Sequence, residues 1–236
     1  MTINSRIPHR HRPRGLEILF EDRDILVISK AVGLLTWSPH QDQRKTAERV
    51  LTGYLRKGSE SSRLCAYTVH RLDRDTSGLL VFAKSEKVQQ QLKNNWSTTD
   101  KHYFTVVHGG LDPKEGTFSC YLAEDKDQFV NVTKNKAEGK LAESCYKVLK
   151  EAGGYSAVDV SLLTGRKNQI RVQFMDAGHP VVGDKKYGKK GDRVGRMALH
   201  AMHLEFDHPF SGRRMIFDSP VPDALLQLVG GLDPIV

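Results

Sequence analysis

The chemically richest stretch of the chain is a polar segment between two apolar runs. Residues 70–78 read HRLDRDTSG, and residues 64–69 and 79–83 on either side are mostly apolar or β-branched. Such runs are typical of strands, so we expect the polar residues on a loop at the strand ends. Loops in this position commonly carry the reactive side chains of an enzyme.

Asp73 is the loop residue best suited to chemistry, because its carboxylate lies between Arg71 and Arg74 in the sequence. Neighbouring guanidinium groups favour an ionised carboxylate, which can act as a nucleophile or a base. The same residue types also suit a salt-bridged β-turn without a chemical role. A further interpretation takes His70, Asp73 and Asp75 as the metal ligands of a nuclease.

The composition favours a single large domain with an acidic partner. The chain has 236 residues, 39% of them hydrophobic, and 36 Lys and Arg against 28 Asp and Glu, for a net charge of +8. This length can bury a substantial core in one large α/β or α+β domain, and two small domains would also fit although no linker indicates them. The charge fits nucleic acid, although many basic proteins bind none. The three cysteines lack a Cys-x-x-Cys pair, so we expect neither disulfides nor a zinc site.

Two segments concentrate the basic residues. Residues 9–14 read HRHRPR, and residues 1–15 are expected to form a basic, flexible tail. A glycine-rich stretch over residues 185–196 begins with Lys185 and Lys186. Both segments suit phosphate contacts, because each neutralised phosphate releases counterions and strengthens binding. A tail that is merely solvated fits residues 9–14 equally well. No run is long enough for a signal peptide or a membrane span, so a cytoplasmic protein is expected.

Sequence periodicity predicts many strands and few helices, which implies a mixed, largely antiparallel sheet. Helices are expected over residues 46–55, capped by Thr46, and from Ser85 through Trp96. A third helix, over residues 168–177, should end at Gly178, and a short helix at 222–229 should close the chain. Later strands are expected over residues 117–122, 142–149, 155–163, 199–206 and 214–217.

Residues 70–78 resemble the central motif of the RNA pseudouridine synthases of the RluA type. These enzymes detach uracil from its ribose and reattach it through a carbon. The resemblance extends from about Leu16 to about Leu228, through segments 18–30, 101–109, 162–172, 176–188 and 199–210. Three positions depart from the family pattern: Ala31 replaces the usual Pro, and Asn168 and Gln173 stand where His is common.

The resemblance implies a role for each residue that matches a family motif. Asp73 becomes the catalytic nucleophile, Tyr103 packs against the target uracil, and Arg171 pairs with the catalytic carboxylate. The remaining expected RNA contacts are Arg71, which would occupy the gap left by a flipped nucleotide, and Arg74, Arg166, Lys185 and Lys186. The isomerisation involves no net redox change, so neither a metal nor a cofactor is expected.

The resemblance also implies the pseudouridine synthase fold. This α+β fold is expected over residues 16–236 as a single catalytic domain. It has a long mixed, largely antiparallel sheet with flanking helices and an active-site cleft across the face of the sheet. The expected partner is structured RNA, either rRNA or tRNA, bound by a monomer. Attack at the sugar, attack at the uracil ring and a glycal intermediate all remain open. The family often carries an S4-type RNA-binding module, and none is expected before the opening motif near Leu16. The alternative function is an RNA-binding or ribosome-assembly factor of the same fold with little or no catalytic activity.

Overall fold

The computed structural model describes residues 13–38, 46–57, 59, 61–192 and 194–232. These residues divide into two compact units. Unit 1 comprises residues up to Thr99 together with Leu204–Ser219, and unit 2 comprises Asp100–His203 together with the residues from Pro220 onward. Of the predicted basic tail, residues 1–12 lie outside the described residues. That residues 16–236 act as one catalytic domain stays a prediction.

Unit 1 contains an antiparallel sheet made of strands rich in Val, Ile, Leu and Phe. Its strands are β1 (Leu16–Glu21), β2 (Ile25–Lys30), β3 (Tyr67–Thr68) and β4 (Ser77–Ala83). β2 pairs with both β1 and β4, and β3 pairs with the C-terminal end of β4. Every residue of β4 is buried, which fits its apolar run from Leu79 to Ala83.

Two capped helices belong to unit 1, and both were predicted. Helix α1 (Ala47–Arg56) begins where the Thr46 hydroxyl accepts a hydrogen bond from the Arg49 amide at 3.3 Å. Helix α2 (Glu86–Asn94) begins in the same way at Ser85 and continues into a 3-10 turn over Trp96–Thr98. Val88 and Leu92 of α2 share one apolar core with β2 and β4, so this helix covers the sheet.

The expected strand over residues 64–69 is wrong for most of its length, because only Tyr67–Thr68 pair with β4. Residues before Tyr67 bond to helix α1 instead of to a strand. The Arg56 side chain donates to the Leu64 carbonyl at 2.9 Å, and the Ala66 amide donates to the Thr52 hydroxyl at 3.1 Å. Side chains of the helix therefore provide the hydrogen bonds that a neighbouring strand would otherwise have made to this backbone.

Unit 2 contains a second antiparallel arrangement of strands. These are β5 (Asp100–His108), β6 (Glu115–Glu124), β7 (Val130–Thr133), β8 (Lys140–Ala152) and β9 (Tyr155–Leu162). Their hydrogen-bonded order is β5, β9, β8, β6, β7. The predicted strands over residues 117–122, 142–149 and 155–163 are confirmed. The four-residue β7 was not predicted, because polar residues surround its two valines.

Strand β10 (Leu199–Asp207) contributes residues to both units and pairs with β11 (Arg214–Asp218). Helix α4 (Asp223–Leu226) continues into a 3-10 turn that ends at Val229. The predicted short closing helix is therefore confirmed. Leu225 and Val229 pack with Phe104 and Ala157 in the core of unit 2. The predicted α+β class with a largely antiparallel sheet is confirmed.

Helix α3 (Gln169–Asp176) follows β9 and carries Arg171 in its first turn, as predicted. Asn168 precedes the helix in a left-handed conformation with φ 55°. Gly178 follows it with φ 85°, a conformation that glycine adopts without steric cost. None of the helices in the described part of the chain reaches the length and hydrophobicity that spanning a membrane requires.

Candidate active site

Asp73 lies in unit 1, on the loop that joins β3 to β4. The Thr76 amide donates to the Asp73 carbonyl at 3.2 Å, which closes a turn over residues 73–76. The Asp73 side chain is partly exposed, and those of Arg71 and Arg74 are exposed. The loop therefore presents the Asp73 carboxylate with a guanidinium group on each side of it in the sequence.

A buried lysine fixes one side of this loop. Lys30, at the end of β2, is only 1% exposed, and its Nζ donates to the carbonyl oxygens of Ala31 and Leu34 at 2.9 Å and of Arg74 at 3.2 Å. Carbonyl dipoles thus solvate a cation that burial has removed from water. Because Arg74 directly follows Asp73, the lysine holds the backbone next to the candidate nucleophile.

The buried hydroxyl of Thr36 fixes the other side. It donates to the Leu72 carbonyl at 2.9 Å and accepts from the Leu72 amide at 3.0 Å. The Gly33 amide also donates to the Arg74 carbonyl at 2.8 Å. Both neighbours of Asp73 are therefore held by their main-chain atoms, which limits the positions that the carboxylate can adopt.

His70 is used by the fold at the start of this loop. Its Nε2 accepts a hydrogen bond from the Val81 amide at 3.1 Å, and its ring stacks on Trp96 with a centroid distance of 4.6 Å. An acceptor Nε2 places the ring proton on Nδ1 in the neutral form. The nuclease interpretation needs a lone pair of His70 to bind a metal ion. The Nε2 lone pair already accepts the Val81 amide and Nδ1 carries the proton, so this geometry does not favour that interpretation.

Tyr103 lies in unit 2 on β5, opposite Val160 of β9, and is 8% exposed. Its neighbour His102 contacts the Asp159 carboxylate at 2.9 Å through Nδ1. This hydrogen bond raises the pKa of His102 although partial burial opposes protonation. An ion pair on the adjacent residue therefore helps to hold the strand that carries the candidate stacking residue.

Arg171 makes its main contacts in unit 2 with Asp184, a partner that the sequence did not suggest. Its Nε and Nη2 donate to the two carboxylate oxygens of Asp184 at 2.7 and 2.8 Å, in a bidentate pair. Its Nη1 donates to Asn168 Oδ1 at 3.1 Å. Three of the five guanidinium N–H donors are thus directed by these two side chains.

Asp184 is built to remain ionised in a fully buried position. Burial alone would raise the pKa of its carboxyl group, but the hydrogen bonds and charge of Arg171 and the amides of Tyr187 and Lys186 more than offset this, so the pKa is lowered. The sequence carries a weak signal for this residue, since Asp184 directly follows the apolar run Pro180–Gly183. A charged residue there needs a buried partner.

Tyr187 connects the arginine to the neighbouring hairpin. Its ring lies 5.1 Å from the Arg171 guanidinium, in cation–π contact. Its hydroxyl accepts from the Val130 amide at 2.9 Å and from Asn168 Nδ2 at 3.1 Å. Asn168, one of the departures from the family pattern, therefore bridges Tyr187 and Arg171.

The other candidate RNA contacts of unit 2 differ in exposure. Arg166 is exposed, and its Nε donates to the Leu141 carbonyl at 2.8 Å. Lys185 is exposed, whereas Lys186 is partly buried and donates from Nζ to the Gln128 carbonyl at 2.7 Å. Lys185 and Arg166 thus present their charge to solvent more fully than Lys186 does.

One group of acidic and imidazole side chains among the described residues has the spacing of a metal site. The ligand atoms of Asp22, Asp24 and His208 lie within 4.8 Å of one another. Both oxygens of Asp22 are already used: Oδ1 accepts from the Asp24 and Ile25 amides at 2.8 Å, and Oδ2 contacts His208 Nε2 at 2.9 Å. These hydrogen bonds hold the β1–β2 turn, so the cluster has a structural role there.

Comparison with known proteins decides the family. Residues 24–176 match the family model described as RNA pseudouridylate synthase. The chain belongs to this family. Its fold also resembles two human structures, RNA Pseudouridylate Synthase Domain Containing 1 and Domain Containing 4. The TM-scores are 0.70 and 0.71, the identities 24% and 20%, and the matches cover 89% of this chain and 84% and 90% of those chains.

Curated relatives of this synthase-family chain come from several bacteria. It is 35% identical to Ribosomal large subunit pseudouridine synthase D of Neisseria meningitidis serogroup A, over 94% of this chain and 64% of the relative. The protein of the same name from Nitrosomonas europaea is 34% identical over 95% of this chain and 68% of that one. Uncharacterized RNA pseudouridine synthase YlyB of Bacillus subtilis is 33% identical over 93% and 74%. The chain thus spans about two thirds of the length of these relatives.

Replacing Lys30 should destabilise the Asp73 loop. In Lys30→Met, three carbonyl oxygens lose their buried donor, and we expect unfolding to become easier by about 2–4 kcal/mol. Denaturant unfolding measures this difference. Lys93→Met, at an exposed position, is the control and should change stability by less than about 0.5 kcal/mol. Equal stability of the two variants would contradict an anchoring role for Lys30.

Removing the charge of Asp184 should leave a buried guanidinium without its counter-ion. For Asp184→Asn we expect a loss of about 3–5 kcal/mol in the free energy of unfolding. Asp176→Asn, an exposed change on the same helix as Arg171, is the control. A variant at position 184 that is as stable as the control would show that the ion pair does not stabilise unit 2.

The His102–Asp159 pair should make stability depend on pH. A raised pKa in the folded state means that the stabilisation is fully present below about pH 6.5 and is lost as pH rises through the folded pKa. His102→Gln should therefore cost more stability near pH 5.5 than near pH 9. The same substitution in an Asp159→Asn background should show a smaller pH dependence. An unchanged dependence would assign it to other groups.

Proposed function

We propose that this protein is an RNA pseudouridine synthase that isomerises a uridine in structured RNA to pseudouridine. The observation that carries the proposal is a partly exposed carboxylate, Asp73, on a loop fixed by Lys30 and Thr36 in a chain of this family. Relatives named for the ribosomal large subunit make large-subunit rRNA the first substrate to test, with tRNA as the other class. The expected location is the cytoplasm, and the expected state is a monomer.

The proposed reaction exchanges one bond to the ribose for another. The bond between C1′ and N1 of uracil breaks, a bond between C1′ and C5 forms, the proton on C5 is lost and N1 gains one. Asp73 supplies the carboxylate that assists this exchange, whether at the sugar, at the ring or through a glycal. Substrate and product have the same composition, so the balance requires no redox cofactor.

Reaching the target requires the uridine to leave the base stack. Extruding a nucleotide costs about a few kcal/mol, which the protein must offset with new contacts. We assign this part to Arg71, whose exposed guanidinium shares the loop with Asp73. A planar guanidinium can stack where the base was and also bond to phosphate, which suits the gap better than lysine would.

Two residues of unit 2 complete the proposed chemistry. Tyr103 stacks on the uracil and helps to exclude water while the base turns. Arg171 orients the Asp73 carboxylate and favours its ionised form. The fixation of the Arg171 guanidinium by Asp184 and Asn168 supports this assignment, because a catalytic ion pair needs a guanidinium with one orientation.

Binding of RNA is assigned to the basic surface. The net charge of +8 and the exposed side chains of Arg74, Arg166 and Lys185 suit phosphate contacts, and Lys186 adds charge from a partly buried position. Affinity should accordingly fall as salt rises. Phosphate contacts position the RNA, while recognition of one uridine depends on RNA shape and unpaired bases.

Asp73→Asn should abolish activity and leave RNA binding largely intact. The amide keeps the shape of the side chain but loses its nucleophilic charge, so we expect turnover to fall by about 10³-fold or more. The assay maps pseudouridines in total RNA from cells that lack the protein, after incubation with each variant. Asp75→Asn, on the same loop and exposed, is the matched control.

The outcomes separate the proposed function from its alternative. A new pseudouridine with the wild type and with Asp75→Asn, and none with Asp73→Asn, supports the proposal and identifies the substrate. Strong turnover by Asp73→Asn would remove Asp73 as nucleophile. RNA binding without any new pseudouridine would favour the alternative, an RNA-binding or ribosome-assembly factor.

A further inference from the structure

The turn between β6 and β7 holds an exposed aromatic ring in a fixed position. Phe129 is 40% exposed. Asp125 Oδ1 accepts from the amides of Asp127 and Phe129 at 3.0 and 2.8 Å, and the Asp125 amide donates to the Phe129 carbonyl at 2.8 Å. The turn is thus closed by its own hydrogen bonds, and an ordered apolar ring at its end is accessible to a partner.

Side-chain contacts connect this ring to the candidate catalytic arginine. Phe129 packs edge-on against Tyr187 at 5.7 Å between centroids, and Tyr187 lies 5.1 Å from the Arg171 guanidinium. Lys186 Nζ lies 4.3 Å from the Phe129 ring and bonds to the Gln128 carbonyl. The exposed ring is therefore one side chain away from Arg171 and is accompanied by a cation.

A groove of about 420 Å³ lies next to the turn and includes Val130 in its lining. Its charged lining residues are Arg166, Lys140, Lys167, Glu124 and Glu138. Lys167 and Glu124 neutralise each other in an ion pair. Arg166 and Lys140 then outweigh Glu138, so the groove retains a positive charge beside the aromatic ring.

We infer that Phe129 stacks on an unpaired base of the RNA substrate and that Arg166 and Lys140 contact phosphates of the same strand. An exposed aromatic ring beside cations is the usual way in which proteins hold single-stranded nucleic acid, because every base offers a π face. RNA is also the partner whose charge complements the groove. The inference rests on the proposed function and specifies the nucleotides that flank the target uridine as the ligand of this surface.

The chain contains a matched control for this inference. Phe210 in unit 1 is 45% exposed and also carries a lysine, Lys87, at 5.6 Å from its ring. Exposure and a neighbouring cation are thus common to both phenylalanines. Of the two, only Phe129 also packs against Tyr187 and through it is connected to Arg171. A general effect of removing a surface phenylalanine would affect both positions equally.

The experiment compares Phe129→Ala, Phe129→Leu, Phe129→Trp and Phe210→Ala. Binding of a short fluorescent oligouridylate is measured at one ionic strength, followed by KM and kcat on total RNA from cells that lack the protein. We expect the Ala and Leu variants at position 129 to weaken oligouridylate binding by about 5- to 150-fold, because a stacked base is lost. Trp at position 129 and Ala at position 210 should bind as the wild type does.

Leucine keeps the apolar contact with Tyr187, so it separates loss of stacking from loss of packing. If Phe129→Leu binds the oligouridylate as tightly as the wild type, the inference is overturned. Equal weakening by Phe129→Leu and Phe210→Ala would also overturn it. A wild-type protein that binds RNA but forms no pseudouridine would remove the proposed function instead, since the binding comparison does not depend on turnover.

Discussion

The buried ion pair between Arg171 and Asp184 is the interaction around which the candidate site in unit 2 is organised. Removing either charge leaves the other without solvation, and an uncompensated buried charge costs far more than the pair itself contributes. The carboxylate also accepts the amides of Lys186 and Tyr187, so the same residue closes the following turn. Orientation of the arginine, the path of the turn and the placement of Tyr187 therefore depend on one side chain.

Unit 1 places its own buried cation in a different environment. Lys30 has carbonyl oxygens around its ammonium group, where Arg171 has a carboxylate. Carbonyl dipoles suit a compact ammonium with rotatable donors, and a carboxylate suits the planar guanidinium fork. The lysine fixes the backbone beside Asp73, and the carboxylate of Asp184 fixes the side chain of Arg171. Asp73 and Arg171 are the residues to which we assign catalytic roles.

Local signals in the sequence predicted the elements but not the contacts that position the site. Thr46 and Ser85 cap their helices, and Gly178 ends α3, because capping depends on residues within one turn. Asp184 was missed as the partner of Arg171, since bidentate geometry arises only when α3 and the next turn pack together. The region before Tyr67 was assigned to a strand because its apolar residues do not reveal that side chains of α1, eight and fourteen residues earlier in the chain, bond to its backbone.

The contact of Thr36 with Leu72 fixes the loop around Asp73 through main-chain atoms alone. The Thr36 hydroxyl bonds to both the amide and the carbonyl of Leu72, as a neighbouring strand would. These two hydrogen bonds involve no side chain of the loop. The main-chain path at Leu72 therefore does not depend on which side chain occupies the exposed position 75. The exposed surface of this loop could thus change its chemistry without any change in the main chain that carries Asp73.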